Sequence, residues 1–419
     1  MNDALLNALK QRGVIVHAPA ATVIEDVDAS AFEAGVEIFP AVTIRGKLSR
    51  FGAGTKLGKA GGGYFENVVT GRNVDLFGGY YQDCALFDDV TLRGSAEVRG
   101  GTLLEEGCEG AHHVGYKMTV MLPWVVAGSL VNFCDALMAG GTSRKNHSEI
   151  GSSLALYNFT PWGDKHASIF GDIPRGVFQR EAPVFVGGQT QIVSPVRVGF
   201  GAVLTAGSGI RRDVPDHTIY GEAPTSIQRP FEADQLGAIE SKVRTGLFIL
   251  GNLVAHQNWY AHVRQPTAGK DAHKKALYTH AERQLEANVN ERIKRIKQLL
   301  ERIEGSRDAH QKALDDRADG LSFAQRYRRL DDHDRMKTLR PAIFQHFERI
   351  SAGDFLLTKK EAAPLRAVSE AYRKDEAGSL PAWLRDTLPD ALLAPAQRQL
   401  YEIIDSVAKL PTMPKGPIK

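Results

Sequence analysis

The chain has 419 residues, 43% of them hydrophobic and 24% charged. These are the proportions of a globular protein with more than one core, not of a disordered chain. No apolar run approaches the ~18 residues that a transmembrane helix requires. Three cysteines, Cys84, Cys108 and Cys134, are too few and too scattered for a disulfide framework or a zinc ribbon. The net charge of +3 is uneven: residues 1–225 carry 19 Lys and Arg against 23 Asp and Glu, and residues 226–419 carry 33 against 26.

The opening MNDALLNALKQRG mixes acid and base without a long apolar stretch. A secretory signal is therefore not expected, and the cytoplasm is the expected compartment. Residues 1–35 read as an N-terminal cap. From there aliphatic residues recur at every sixth position: Val36, Val42 and Leu48, then Val68, Val74, Tyr80, Leu86, Leu92, Val98 and Leu104. The spacing returns at Val186, Ile192, Val198, Leu204 and Ile210. A period of six is neither the 3.6 of a helix nor bare strand alternation. It predicts a parallel β-helix of hexapeptide repeats over 36–225, in which each short strand points one aliphatic residue inward before the chain turns a corner. Glycines such as Gly94, Gly100, Gly199 and Gly201 suit those corners. No strand–GxGxxG–helix unit competes with this reading. The rhythm breaks over residues 142–184, read as an inserted loop, and function in a repeat protein is expected where the repeat is broken.

Near Glu222–Pro230 the composition changes: 32 of the 41 glycines lie at or before Gly221. Residues 226–419 read as an α-helical domain. HAERQLEANVNERIKRIKQLLERIEG places Leu285, Val289, Ile293, Ile296, Leu300 and Ile303 on one stripe, with Gly305 as its stop. Gly246–Arg264 forms a second helix, and others are predicted near 321–351, 358–376 and 395–409. His256, Trp259 and His262 on the second helix read as core rather than as a site. The basic surplus is interleaved with acids, so no nucleic-acid partner is expected.

Residues 184–214, VFVGGQTQIVSPVRVGFGAVLTAGSGIRRDV, resemble the closing coils of the left-handed β-helix acyltransferases. The resemblance is greatest to the acetyltransferase domain of the bacterial bifunctional glucosamine-1-phosphate acetyltransferase/UDP-N-acetylglucosamine pyrophosphorylases. It extends upstream through Asn146-His147, Ile150-Gly151, Tyr157-Asn158-Phe159 and Lys165, covering roughly 125–229. The run VNFCDALMAGGTSRKNHSEIGSS and the helical tail also resemble proteins described as UDP-N-acetylglucosamine pyrophosphorylase-like.

The resemblance implies a left-handed β-helix, a homotrimer with sites between adjacent prisms, and acetyl-CoA as co-substrate. It implies that His147 is the general base, a role suited to imidazole near neutral pH. Asn158 and Lys165 fall on the residues that orient substrates. Arg144, Lys145, Asn146 and Tyr157 are expected to meet the acceptor. Gly188, Ala206, Arg211 and Arg229 are expected to meet CoA, with Arg212 a further phosphate partner. The expected acceptor is an amino-sugar phosphate or a nucleotide sugar. Mg2+ is a further candidate, although no motif supplies its ligands. The chain departs from the family in lacking an LxxGxGTxM loop, so uridylyl transfer is not expected. The two basic residues that grip the sugar phosphate in the family have no counterpart, one of them falling near Asp135. The tyrosine that follows the family's histidine is Ile150.

Two other readings stand beside acyl transfer. One is a protein that binds sugar nucleotides without transferring an acetyl group. The other is a zinc enzyme like the γ-class carbonic anhydrases, built on His112, His113 and His147. There the third ligand position holds Ser152, which leaves the metal set short.

Overall fold

The computed structural model describes residues 2–223, 226, 228, 231–316, 323–376 and 378–410. After helix α1 (Asp3–Gln11) the chain winds into a parallel β-solenoid. One face stacks eleven two- or three-residue strands in chain order, from Ile15–Val16 to Ile219–Tyr220. The solenoid thus starts within the segment read as a cap. A second face runs from Thr22–Glu25 to Gly209–Ile210. The third consists of Thr102–Leu104, Ser168–Phe170 and Arg197–Val198 together with the far ends of four long strands, Gly63–Thr70, Gly79–Leu86, Gly115–Met121 and Asn132–Met138. Those long strands bend between the second and third faces at Asn67, Asp83, Met118 and Asp135, all at positive φ.

The six-residue register describes the interior closely. Val42, Val68, Val74, Leu86, Leu92, Val98, Leu104, Val186, Ile192, Leu204 and Ile210 are fully buried. Leu48 and Tyr80 depart from it and are exposed; Ile44, Phe51 and Tyr81 fill the core instead. The cause is coil length. Lys56 pairs with Asp75 but Asp75 with Thr91, so coils vary by a few residues and the six-step count slips at the corners.

The stretch 142–184 is not one loop. It holds the strands Ser148–Ile150, Ala155–Tyr157 and Ser168–Phe170, one on each face. Its extra residues leave at corners, which is why Glu149 pairs with Phe185, 36 positions on. One of these excursions carries the short helix α2 (Ile173–Gly176).

The third face explains the second half of the chain. Successive strand residues point to opposite sides. Leu86, Leu104, Met121, Met138 and Phe170 face the solenoid interior. Their neighbours Ala85, Leu103, Val120, Leu137 and Ile169 face outward and share one core with the helices. A strand buried on both sides is apolar throughout. The helices are α3 (Ile239–Trp259), which continues through a π-helical turn (Tyr260–Arg264) into α4 (Gln265–Thr267), then α5 (Ala272–Glu301), α6 (Ile303–Asp316), α7 (Phe323–Ser351), α8 (Ala363–Lys374), α9 (Leu380–Asp386) and α10 (Asp390–Ala408). The predicted stop at Gly305 is displaced: α5 ends at Glu301, Arg302 leaves helical geometry, and Gly305 lies inside α6. Trp259 and His256 are fully buried and His262 nearly so, in the core as expected.

Helix α5 starts where Asp271 accepts from the Lys274 backbone N–H at 2.9 Å and pairs with Arg72 at 2.7 Å. It begins at the corner between the third and first faces and crosses the third face to its corner with the second. His273 bonds the Thr70 carbonyl at 2.7 Å, and Gln284 Oε1 accepts from Gly101 N at 3.0 Å. Asn288 Nδ2 donates to the Gly101 carbonyl at 2.6 Å, and Arg292 reaches Asp135. A helix turn rises about 5.4 Å and a coil about 4.8 Å. The near match lets polar residues one or two turns apart follow the corner, Gln284 and Asn288 at Gly101 and Arg292 at Asp135 further up.

Candidate active site

The predicted residues divide among the three corners of the solenoid. His147 precedes its first-face strand, at the corner shared with the third face. The turn before it closes on itself: Ser143 and Asn146 form a bridge, and Thr142 N donates to the Asn146 carbonyl at 2.8 Å. Asn146 Nδ2 donates to Thr142 Oγ1 at 2.8 Å. His147 Nδ1 lies 3.0 Å from the Arg144 carbonyl and Nε2 lies 3.3 Å from Glu149 Oε2. A neutral ring can donate to only one of these oxygens. Glu149 Oε2 accepts from Nε2 whenever that nitrogen carries the proton. Arg144 pairs with Glu109, and Lys145 is exposed. From the helical half, Arg385 donates to the Thr142 carbonyl and fastens this turn. Beneath His147 sits Trp124, at φ +67, a conformation rare for a bulky side chain. Its indole N–H donates to Gln179 Oε1 at 2.9 Å.

Asn158 and Lys165 lie at the corner between the second and third faces. The excursion between them is a hairpin, bridged at Phe159 and Lys165. Asn158 Nδ2 donates to Asp135 Oδ2 at 2.6 Å, and Lys165 Nζ lies 2.7 Å from the same oxygen. Arg292 of α5 takes the other oxygen of Asp135. The structure therefore unites Asn158 with Lys165 but not with His147. Tyr157, just before them, is exposed on the second face.

Sequence reasoning missed the charged groups around this pair. Asp164 is bonded by His166, Lys242 and Thr160. Burial opposes its ionisation, yet the His166 and Lys242 hydrogen bonds and the Lys242 charge hold its pKa well below the usual carboxylate range. Burial pushes the His166 imidazole down, against the pull of Asp164. Lys242, Arg292 and Arg295 come from α3 and α5, so no local motif announces them. One signal was available: Asn67, Asp83 and Asp135 stand at positive-φ corners of the long strands, where Asn and Asp are favoured.

Gly188 and Ala206 mark the remaining corner, between the first and second faces. A Cβ on Gly151 would lie 2.3 Å from Gly188 N, and one on Gly187 2.4 Å from Ala206 N. The small residues of this column thus let coil backbones touch. Arg211 and Arg212 are exposed nearby, Arg212 2.9 Å from Glu222 and Arg211 3.9 Å from it. Arg229 lies outside the described residues. Ile150 points into the core. His112 and His113 face each other at this corner, Nδ1 to Nδ1 3.0 Å, at the far end of the first-face strands from His147. Among the described residues no three His, Cys, Asp or Glu side chains gather as a metal site, so neither the zinc reading nor Mg2+ gains a ligand set.

No protein-family profile matches the chain. It is 26% identical to the bifunctional protein GlmU of Thermotoga maritima over 216 residues, 51% of this chain and 43% of the relative. Against GlmU of Aromatoleum aromaticum it is 29% identical over 203 residues, 48% of this chain and 37% of the relative. Against that of Acinetobacter baylyi it is 27% identical over 150 residues, 35% and 30%. The chain resembles a hexapeptide-repeat, GlmU-like acetyltransferase. It spans less than half the length of these curated relatives. No described helix of this GlmU-like chain is long and apolar enough to cross a membrane.

Proposed function

We propose that the protein transfers an acetyl group from acetyl-CoA to an amine or hydroxyl of a small anionic acceptor, an amino-sugar phosphate or a nucleotide sugar. The observation that carries this is the division of the GlmU-like residues among three corners of one chain, His147 at one, Asn158 and Lys165 at a second, and Gly188 and Ala206 at the third. No single chain completes the set, whereas a homotrimer of prisms places the His147 corner of one copy against another corner of the next.

In this reading His147 Nε2 takes the proton of the attacking amine or hydroxyl as that atom bonds to the thioester carbonyl carbon. Glu149 stabilises the imidazolium. Backbone N–H groups of the small-residue column near Gly188 and Ala206 meet the developing oxyanion. The C–S bond then breaks, and the imidazolium returns its proton to the CoA thiolate. Asn158, Lys165 and Tyr157 orient the acceptor, with Arg144, Lys145 and Asn146 at the mouth. Arg211, Arg212 and Arg229 meet CoA phosphates.

One observation favours sugar-nucleotide binding without transfer: Asn158 and Lys165 already spend hydrogen bonds on Asp135. Free-thiol release from acetyl-CoA in the presence of a panel of amino-sugar phosphates separates the two. Acetyl transfer predicts release by the native chain, and its loss in His147→Ala with the oligomer intact. Unchanged release in that variant removes His147 from the mechanism.

A further inference from the structure

The outward row of the third face runs through Ala85, Leu103, Val120, Leu137 and Ile169 beneath the helices. On the next coil the residue paired with Ile169 is Arg197, so a cation stands where the row would add another apolar residue. Its guanidinium lies 4.2 Å from the ring centroid of Phe248 on α3, a stacking that holds its plane. Arg175, Arg264 and Arg292 are each held by carboxylates. Arg197 is held by none: among the described residues no carboxylate lies within ion-pair reach and no guanidinium nitrogen has a hydrogen-bond partner, with Nε sealed from water as well. Burial pushes its pKa down, against the pull of Asp213.

Arg197 lines a cleft of about 550 Å³ between the closing coils, α3 and α7. Thr245 of α3 lines it too, is 5% exposed, and its hydroxyl has no hydrogen-bond partner among the described residues. The acids of the cleft are largely spent elsewhere. Asp213 accepts from the Arg197 backbone N–H at 2.8 Å, Asp332 accepts from the Glu240 backbone N–H at 2.9 Å, and Glu240 pairs with Arg244 and Arg335. Asp331 is exposed. An immobilised planar guanidinium with unspent donors suits a carboxylate, which it can take through two parallel bonds. The carboxylates around it repel a dianion more than a monoanion, and Asp331 offers acceptors to hydroxyl or amino groups.

We propose that this cleft binds a small carboxylic acid whose body carries hydroxyl or amino groups. Arg197 takes the carboxylate, Thr245 adds a hydroxyl bond, and Asp331 meets the donors of the body. The site uses none of His147, Asn158 and Lys165, so it does not depend on the reaction assigned to them.

Calorimetric titration of the full chain at low salt with gluconate, serine and inorganic phosphate, beside melting curves in each, tests it. The native chain should bind gluconate or serine saturably and more tightly than phosphate, and should melt higher in the acid it binds. Arg197→Met keeps an apolar stem over Phe248 and removes a half-buried charge that has no protein partner. Without ligand it should therefore melt no lower than the native chain, while binding falls about tenfold or more, the scale of a lost charged hydrogen bond. Arg197→Lys keeps the charge without the planar fork and should recover only part of the loss. Lys297→Gln, on α5 and paired with Glu348, should bind like the native chain. No saturable binding of either acid, tighter binding of phosphate than of both, or undiminished binding by Arg197→Met overturns the proposal. So does an Arg197→Met chain that melts well below the native one without ligand, because Arg197 would then serve packing alone.

Discussion

Glu105 and Arg264 are both nearly inaccessible, at the seam between solenoid and helices. Arg264 Nη2 donates to Glu105 at 2.9 Å and to Glu106 at 3.0 Å; Tyr260 donates to Glu105 at 2.7 Å, and His256 Nε2 lies 3.1 Å away. Burial opposes the Glu105 charge, yet Arg264, His256 and Tyr260 hold its pKa below the ordinary range, while burial pushes Glu106 up. The π-helical turn places Tyr260 and Arg264 on the same carboxylate. Removing one partner strands a buried charge, so Arg264→Met should cost about 3–5 kcal/mol in urea unfolding. His280, on α5, is pushed down by burial to about 4. Unfolded His titrates near 6.5, so between these values the unfolded chain binds more protons and stability falls as pH drops. Stability should decline by about 3 kcal/mol more in the native chain than in His280→Gln between pH 6.5 and 4. A parallel pH dependence in both excludes this assignment. At this scale the sequence was least informative. His147 and Lys165 stand out by residue type and order, but Asp135, Lys242 and Arg292 acquire meaning only once residues far apart in the chain meet.

Among elements, the solenoid was legible because its inward residues obey a short period, and it slipped at Leu48 and Tyr80 where coils change length. The burial of the third face was also written in the chain. Apolar pairs and triplets recur once per coil, as in Val68-Val69, Ala85-Leu86, Leu103-Leu104 and Val120-Met121, and a strand with one wet face would alternate instead. The break at 142–184 hid a coil because its three strands are short and widely separated. Corner packing gives a direct check. A Cβ at Gly151 would stand 2.3 Å from the Gly188 backbone N, so Gly151→Ala should push two coils apart and destabilise the fold by about 1–3 kcal/mol. A melting temperature equal to that of the native chain would show the coils yielding freely there.

For the whole molecule, the helical half covers the third face of the solenoid. It also braces the site: Arg385 holds the turn before His147, and Arg180 donates to the Leu384 and Leu388 carbonyls at the end of α9. The most direct test of a site shared between copies is complementation. His147→Ala and Asn158→Ala chains, each inactive alone, are mixed in equal amounts under conditions that exchange subunits, and acetyl-CoA-dependent thiol release is measured. If each site takes its histidine from one copy and its asparagine from another, a random mixture leaves half times half of the sites intact, about a quarter of native activity. If the mixture stays as inactive as its parents although mixed oligomers form, the site is not shared between copies and the account is contradicted.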